Sequence, residues 1–434
     1  MIDPQLAALL PLGADVSARG HLSLGGVDVA ELAATFGTPL YVYDEDTVRA
    51  ACRAYVRAFA GARRANRVHY AAKAYLALWL CRLLREEGLG CDVVSGGELH
   101  VALTGGIEPS HIRFHGNNKL PGELRDAIAA GIGCIVVDNH DESRLLDELA
   151  RPLGRRVPVL LRLSPGIDAH THEYLKTGLL DSKFGLPIAT GDALQAVRTA
   201  LASPALTLDG YHAHVGTALF DPAPIAEGAR RLRRFAEDTY AATGYWPREL
   251  SPGGGLGIAY ERGDDPPPVR DLAVAIDAVL NGMRPLPALS VEPGRSIVGR
   301  AGVALYTVGA RKDIPGVRAY VSVDGGMADN IRPALYGATY TALAATRMDE
   351  AATTCVTVAG RYCESGDILA RDVALPPLVA GDLLAIPAAG AYCLAMSSAY
   401  NGAPRPAVVT VRDGRARLAQ RRGTVADTLA YDMT

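Results

Sequence analysis

Residues 67–95 read RVHYAAKAYLALWLCRLLREEGLGCDVVS: a short apolar run, a helical stretch, then a second apolar run. The alternation continues to Gly294 through IRFHG (112–116), CIVVD (134–138), VPVLLRLS (157–164), LDGYHAHVG (208–216), RELSPGG (248–254) and ALSVEPG (288–294). With RVHYAAK (67–73) and CDVVS (91–95) these runs make eight. Most are rich in Val, Ile, Leu or Tyr and end in Gly, Ser, Asp or Lys, as strands buried on both faces with polar C-terminal tips do. Helical segments such as LALWLCRLLREEG (76–88) and PIAEGARRLRRFAEDTYAATG (224–244) separate them. Strand–helix alternation means a parallel sheet, and eight units fit a closed (β/α)8 barrel; a doubly wound open sheet is the alternative.

Beyond Gly299 the pattern changes. GVALYTVGARKD, RAYVSVDGG, TTCVTVAGRYC, DLLAIPAAGAYC, PAVVTVRDG and RARLAQRRG are strand-like pieces between Gly, Pro and Asp turns, with only a short helical stretch near 391–399. The opening residues, including HLSLGGVDVAELAATFGTPLYVYD (21–44), hold a β-like segment and a short helix. The expected fold class is therefore α/β plus all-β. A TIM-like barrel spans 46–299, and an antiparallel β domain, barrel- or sandwich-like, comprises 300–434 completed by 1–45.

Composition agrees with two domains and narrows the partners. At 434 residues the chain is too long for one small module. A hydrophobic fraction of 49% against 21% charged residues suits large cores rather than disorder. Lys plus Arg number 44 and Asp plus Glu 47, interspersed, so neither nucleic acid nor an anionic membrane is expected as partner. Cys52, Cys81, Cys91, Cys134, Cys355, Cys363 and Cys393 include no CxxC pair and read as reduced thiols. The first residues show no basic-then-apolar leader, and no window approaches the ~20 apolar residues of a membrane helix. The expected compartment is the cytosol. All ten histidines lie at or before His214, in no zinc-binding pattern. His170 and His172, like His212 and His214, share a strand face, which suits structural or stacking roles better than a metal; no metal is expected.

Barrel chemistry sits at the C-terminal strand tips. Lys73 ends the first strand in a chain with only five lysines. It is either a surface lysine opening a helix or a desolvated amine of lowered pKa, the kind a Schiff base needs. Gly253-Gly254-Gly255-Leu256-Gly257 follows the seventh strand, where consecutive glycines let backbone N–H groups approach a phosphate. Glu292-Pro293-Gly294-Arg295 ends the eighth: the carboxylate could pair with Arg295 or face a protonated ring nitrogen. His214 could lie flat against such a ring. An amine, a phosphate cradle and a ring-nitrogen acid on one face point to pyridoxal 5'-phosphate (PLP).

The ordered strings YAAKA (70–74), CDVVSGGEL (91–99), HGNNK (115–119), HTHEYLKTG (170–178), SKFG (182–185), HAHVG (212–216), GGGLGIAY (253–260), EPGRS (292–296), VDGGMADNIRPALYGA (323–338), CESGD (363–367) and GAYCLAMSSAYN (390–401) carry a resemblance. The chain resembles the PLP-dependent decarboxylases with an alanine-racemase-like barrel, in particular the branch acting on meso-diaminopimelate. The resemblance implies that Lys73 holds PLP and that Asp92 lies beside it. It implies His214 stacked on the ring, Gly255 and Glu292-Pro293-Gly294-Arg295 on phosphate and pyridine, with Glu292 keeping the ring nitrogen protonated, and Thr217 offering a hydroxyl toward phosphate. Arg295, Arg332, Tyr336, Glu364 and Tyr392 would bind substrate, Tyr392 touching the cofactor too. Cys363 would reprotonate Cα, reaching with Glu364 across a homodimer interface into the partner's site. The implied reaction yields L-lysine and CO2 as the last step of lysine synthesis. A same-fold decarboxylase for another amino acid is the nearest rival; a racemase and a PLP-carrier barrel are more distant. Three departures from the family pattern lie near the site: Thr217-Ala218 after HAHVG instead of Ser-Gln, Leu120 after HGNNK, and Thr339-Tyr340 where an aromatic and then His are frequent.

Overall fold

The structure, a computed structural model, describes residues 2–60, 66–167 and 182–433. Contacts group the chain into two units: Ala51–Gly257 with Pro266–Gly294, and Met1–Ala50 with Ile258–Asp265 and Arg295–Thr434.

In the first unit the eight apolar runs form eight strands: β1 (Arg67–Ala71), β2 (Gly90–Val93), β3 (Ile112–Phe114), β4 (Cys134–Val137), β5 (Val157–Ser164), β6 (Leu206–His212), β7 (Glu249–Ser251) and β8 (Ala288–Val291). Each pairs in parallel with the next, and β8 returns to β1 through Ser290↔Arg67 and Val291↔Val68. The sheet closes, which removes the open-sheet alternative. The polar strand tips start the helices. The Ser95 hydroxyl accepts from the Glu98 amide, and the Asn139 side chain accepts from the Glu142 amide. Each cap satisfies an orphan N–H and contributes about 1 kcal/mol. The helices then bury an apolar stripe, as Trp79, Leu80, Cys81, Leu83 and Leu84 do on Leu78–Glu86.

The barrel interior is not wholly apolar. Arg113 of β3 is buried, pairs with Glu249 of β7, and donates to the Ser290 hydroxyl of β8 at 2.7 Å. The Glu249 charge and the Ser290 hydroxyl offset the cost of burying this guanidinium.

The second unit is a sheet in the order Ile368–Leu375, Thr354–Ala359, Arg318–Val323, Gly302–Ile314, Leu40–Asp44, Ala407–Arg412, Arg415–Gln420. Leu383–Ile386 also pairs with Gly302–Ile314. Leu40–Asp44 lies between Gly302–Ile314 and Ala407–Arg412, so the N-terminal segment completes the sheet. The sheet is mostly antiparallel as expected, with two parallel pairings, Arg318–Val323 with Thr354–Ala359 and Leu40–Asp44 with Ala407–Arg412. Both join strands far apart in sequence, as parallel pairing requires. Leu6, Leu9, Leu24, Leu40, Val42, Val303, Leu305 and Val409 share one core. Among the described residues no helix is long and apolar enough to cross a membrane.

Leu305 is fully buried in that core. Leu305→Ala is expected to lower unfolding free energy by about 2–5 kcal/mol in urea denaturation; a loss under ~1 kcal/mol would contradict its central position.

Candidate active site

On the barrel, Glu292 follows β8 directly and its carboxylate is fully engaged. His212 Nε2 lies 2.9 Å from Oε2, and the Ser251 hydroxyl donates to Oε1 at 2.8 Å. His212 and Ser251 are register partners on β6 and β7, so strand pairing alone brings both donors to one height. The bond calls for the Nε2–H tautomer of His212. The imidazole of His115 lies 3.7 Å from Glu292 and 3.7 Å from Asp92, and its ring meets His212 edge-on at 4.9 Å.

Burial alone would raise both acids, and the cluster splits them. Glu292 overcomes burial because His212, His115 and Arg113 hold it well below the usual carboxylate range. Asp92 is pushed well above that range by burial and by the Glu292 charge, with Arg113 and Lys73 opposing. Two buried carboxyls this close do not both ionise; the one with donors keeps the charge. Neither Asp92 oxygen has a hydrogen-bond partner among the described residues. Burial also holds His115, His212 and His214 below the usual imidazole range, Lys73 adding to the effect at His214.

Lys73 sits in a 3-10 turn, Ala72–Ala74, immediately after β1. Its side chain is exposed. The turn is anchored where Ala71 N–H donates to the Pro293 carbonyl at 3.0 Å, tying the ends of β1 and β8 together. After β7, Gly253 (φ +79°) and Gly255 (φ +126°) occupy backbone regions that only glycine enters freely. A Cβ at Gly253 would stand 2.7 Å from the Ala213 carbonyl, and one at Gly255 would stand 2.3 Å from that of Gly216. This crowding keeps the loop bare, as a backbone cradle for an anion must be. His214 and Thr217, beyond the tip of β6, are partly buried, and Ala218 takes φ +60°. The HTHEYLKTG string with His170 and His172 lies outside the described residues. Lys119 of HGNNK is structural: its ammonium is used up by the Gly116 and Val136 carbonyls and Glu142, at 2.8, 2.8 and 2.6 Å.

The second unit gathers the remaining expected residues into two places. Arg295 opens the short helix Arg295–Val298, and Arg332 opens Arg332–Tyr336, which ends with Tyr336. The loop before that helix is fixed by buried Asp329, which accepts from Tyr41, Tyr306 and the Gly326 amide. Burial pushes its carboxyl up to about 6. Arg295 lies 4.8 Å from the ring centroid of Tyr392, a residue held at φ +60°. The second place is the CESGD turn, where Cys363 and Glu364 are exposed. Asp367 pins it, accepting from the Met327 and Tyr362 amides at 2.6 and 2.8 Å, and Asn401 accepts from the Cys363 amide at 3.1 Å.

Sequence reasoning passed over His115, Ser251, Tyr260 and the direct His212–Glu292 bond. The signal for His212 was present, since it lies two residues before His214, but the choice between them depends on which side chain meets β8. His115, His212 and Glu292 are also the group among the described residues whose donor atoms have metal-ligand spacing, all within 4.8 Å.

Comparisons with known proteins follow this geometry. Residues 45–299 match the family described as pyridoxal-dependent decarboxylase, pyridoxal binding domain. The chain is 45% identical over 420 residues to diaminopimelate decarboxylase of Bacillus subtilis, covering 96% of each. It is 44% identical over 430 residues to the Mycobacterium tuberculosis enzyme of the same name, covering 95% of each. Among solved structures it is similar to a diaminopimelate decarboxylase from M. jannaschii in complex with L-lysine, with TM-score 0.91, 35% identity, and coverage of 97% of this chain and 98% of the other.

The split between the two acids has a consequence for stability. Because the folded value of Asp92 is raised, its favourable contribution holds below the ordinary carboxylate range and is lost as pH rises through the folded value. Asp92→Asn, neutral at every pH, is expected to raise the Tm of the cofactor-stripped protein at about pH 7.5, with the gain shrinking toward about pH 4. A gain independent of pH would contradict the assignment.

Proposed function

The chain belongs to the pyridoxal-dependent decarboxylase family, and we propose that it converts meso-diaminopimelate to L-lysine and CO2, closing lysine synthesis by that route. The observation that carries the substrate is the 45% identity to a diaminopimelate decarboxylase across 96% of both chains. The barrel residues fit PLP on their own chemistry: an ionised acid, a glycine loop with no room for side chains, an unpartnered Asp92, and Lys73 at the adjoining tip. PLP, when bound, supplies an electron sink for the carbanion left at Cα by loss of CO2.

The protein's contribution is placement and protons. Lys73 would carry the cofactor and Glu292, kept anionic by His212 and Ser251, would face its ring nitrogen. The loop at Gly255, with Pro293, Gly294 and the Thr217 hydroxyl, would receive the phosphate. His214 would lie against the ring, and Asp92 would lie beside the Lys73 linkage. Arg295, Arg332, Tyr336, Glu364 and Tyr392 would hold the substrate's carboxylates and amines, fixing which bond breaks. Cys363 would return the proton to Cα, as a positioned thiol can in general acid catalysis.

We further propose a homodimer in which Cys363 and Glu364 serve the partner's site; their exposure on a pinned turn supports it. A cytosolic setting suits a chain whose seven cysteines include no CxxC pair.

Purified, PLP-loaded protein is expected to release CO2 from meso-diaminopimelate and form lysine, with L-lysine, L-ornithine, L-arginine and L-glutamate inert. PLP bound through Lys73 without turnover of meso-diaminopimelate would move the assignment to the same-fold rival. Lys73→Ala should lose both activity and the cofactor's protein-linked absorption. Cys363→Ala should keep PLP while turnover falls roughly 100-fold or more. Mixed dimers of the two variants should regain part of the activity, and absence of recovery would refute the shared site.

A further inference from the structure

Arg295 and Arg332 are 4% and 6% exposed, yet among the described residues no carboxylate pairs with either. Buried guanidiniums ordinarily have an acid beside them, as Arg113 has Glu249. Here tyrosines take that place. The Tyr260 hydroxyl accepts from Arg295 Nη1 at 2.5 Å, and the Tyr340 hydroxyl accepts from Arg332 Nη1. The aromatic faces complete the support: Arg332 lies 4.6 Å from the Tyr260 ring and 5.3 Å from the Tyr340 ring, and the two rings meet edge-to-face at 5.4 Å. The Tyr340 hydroxyl also lies 3.4 Å from the Cys393 thiol, in a fully buried setting.

A carboxylate partner would fix each guanidinium and cancel its charge. A tyrosine fixes it by a hydrogen bond and a cation–π contact, leaving the positive charge whole. Arg295 retains a buried donor, Nε, with no partner among the described residues. The arrangement therefore presents two oriented, uncancelled positive groups beside one aromatic ring, the complement of a carboxylate. We infer that Tyr260 and Tyr340 are positioning residues that hold Arg295 and Arg332 ready for the carboxylate that a dicarboxylic amino acid keeps when the other leaves as CO2. The inference rests on the proposed substrate and deepens it.

The test uses the PLP-loaded enzyme and two ligands of matched reach. Pimelate has two carboxylates and no amine; cadaverine has two amines and no carboxylate. Tyr340→Phe and Tyr260→Phe, each removing one hydroxyl, are expected to weaken pimelate binding about tenfold, with cadaverine binding and cofactor absorption unchanged. In turnover the same loss should appear in KM for meso-diaminopimelate rather than in kcat. Tyr340→His restores a hydrogen-bonding group and should recover pimelate affinity to within about threefold. Unchanged pimelate affinity in both Phe variants, equal weakening of both ligands, or failure of the parent enzyme to bind pimelate would each overturn the inference. If one Phe variant does not fold, the other still decides. Tyrosine-dependent pimelate binding without CO2 release from meso-diaminopimelate would sustain the positioning roles and defeat the substrate assignment instead.

Discussion

A single negative charge kept ionised inside a closed barrel is the constraint around which the first unit is arranged. Away from water a carboxylate takes up a proton unless donors replace the lost solvent. Glu292 has such donors in His212 and Ser251, and both are set by the parallel register of β6 and β7. The glycine loop belongs to the same constraint. Glu292 N–H donates to the Gly253 carbonyl at 3.1 Å, and a Cβ on Gly254 would come within 2.0 Å of the Glu292 carbonyl. The loop that would receive phosphate is thus packed on the backbone that carries the acid. Asp92 completes the scheme by giving up its charge, which places a proton donor beside an anion without repulsion.

Charge is handled in opposite ways in the two units. In the barrel, Arg113–Glu249 and Lys119–Glu142 are matched pairs whose hydrogen bonds are nearly saturated. They hold strands and loops in place and offer nothing to a ligand. In the second unit Arg295 and Arg332 rest on tyrosines and keep their charge. The distinction between a scaffolding ion pair and a ligand-directed one lies in what balances the charge when no ligand is present.

The barrel was legible because its strands are continuous apolar runs with polar tips, two of which, Ser95 and Asn139, cap the helices that follow. The strand Ile368–Leu375 was not legible. Its sequence ILARDVAL places Arg371 and Asp372 mid-strand, Asp372 at φ +52°, beside register shifts that break the alternation. Lys73, Glu292 and the glycine loop could be read from their positions at strand ends. The interior Arg113–Glu249 pair could not, since a charged residue at the edge of an apolar run reads as a surface boundary. Nor could sequence separate His212 from His214, because two residues on one strand face differ only in what stands across the barrel.

Leu40–Asp44 is synthesised before both of its sheet partners, Gly302–Ile314 and Ala407–Arg412. More than 250 residues separate it from the nearer partner, since Asp44 precedes Gly302 by 258 positions. On a ribosome adding ~5–20 residues each second, that strand waits tens of seconds with Leu40, Val42 and their neighbours unpaired. The barrel, whose strands lie between, can close during that interval. Elongation speed, rather than stability, then governs how long an apolar strand edge stands open to other chains.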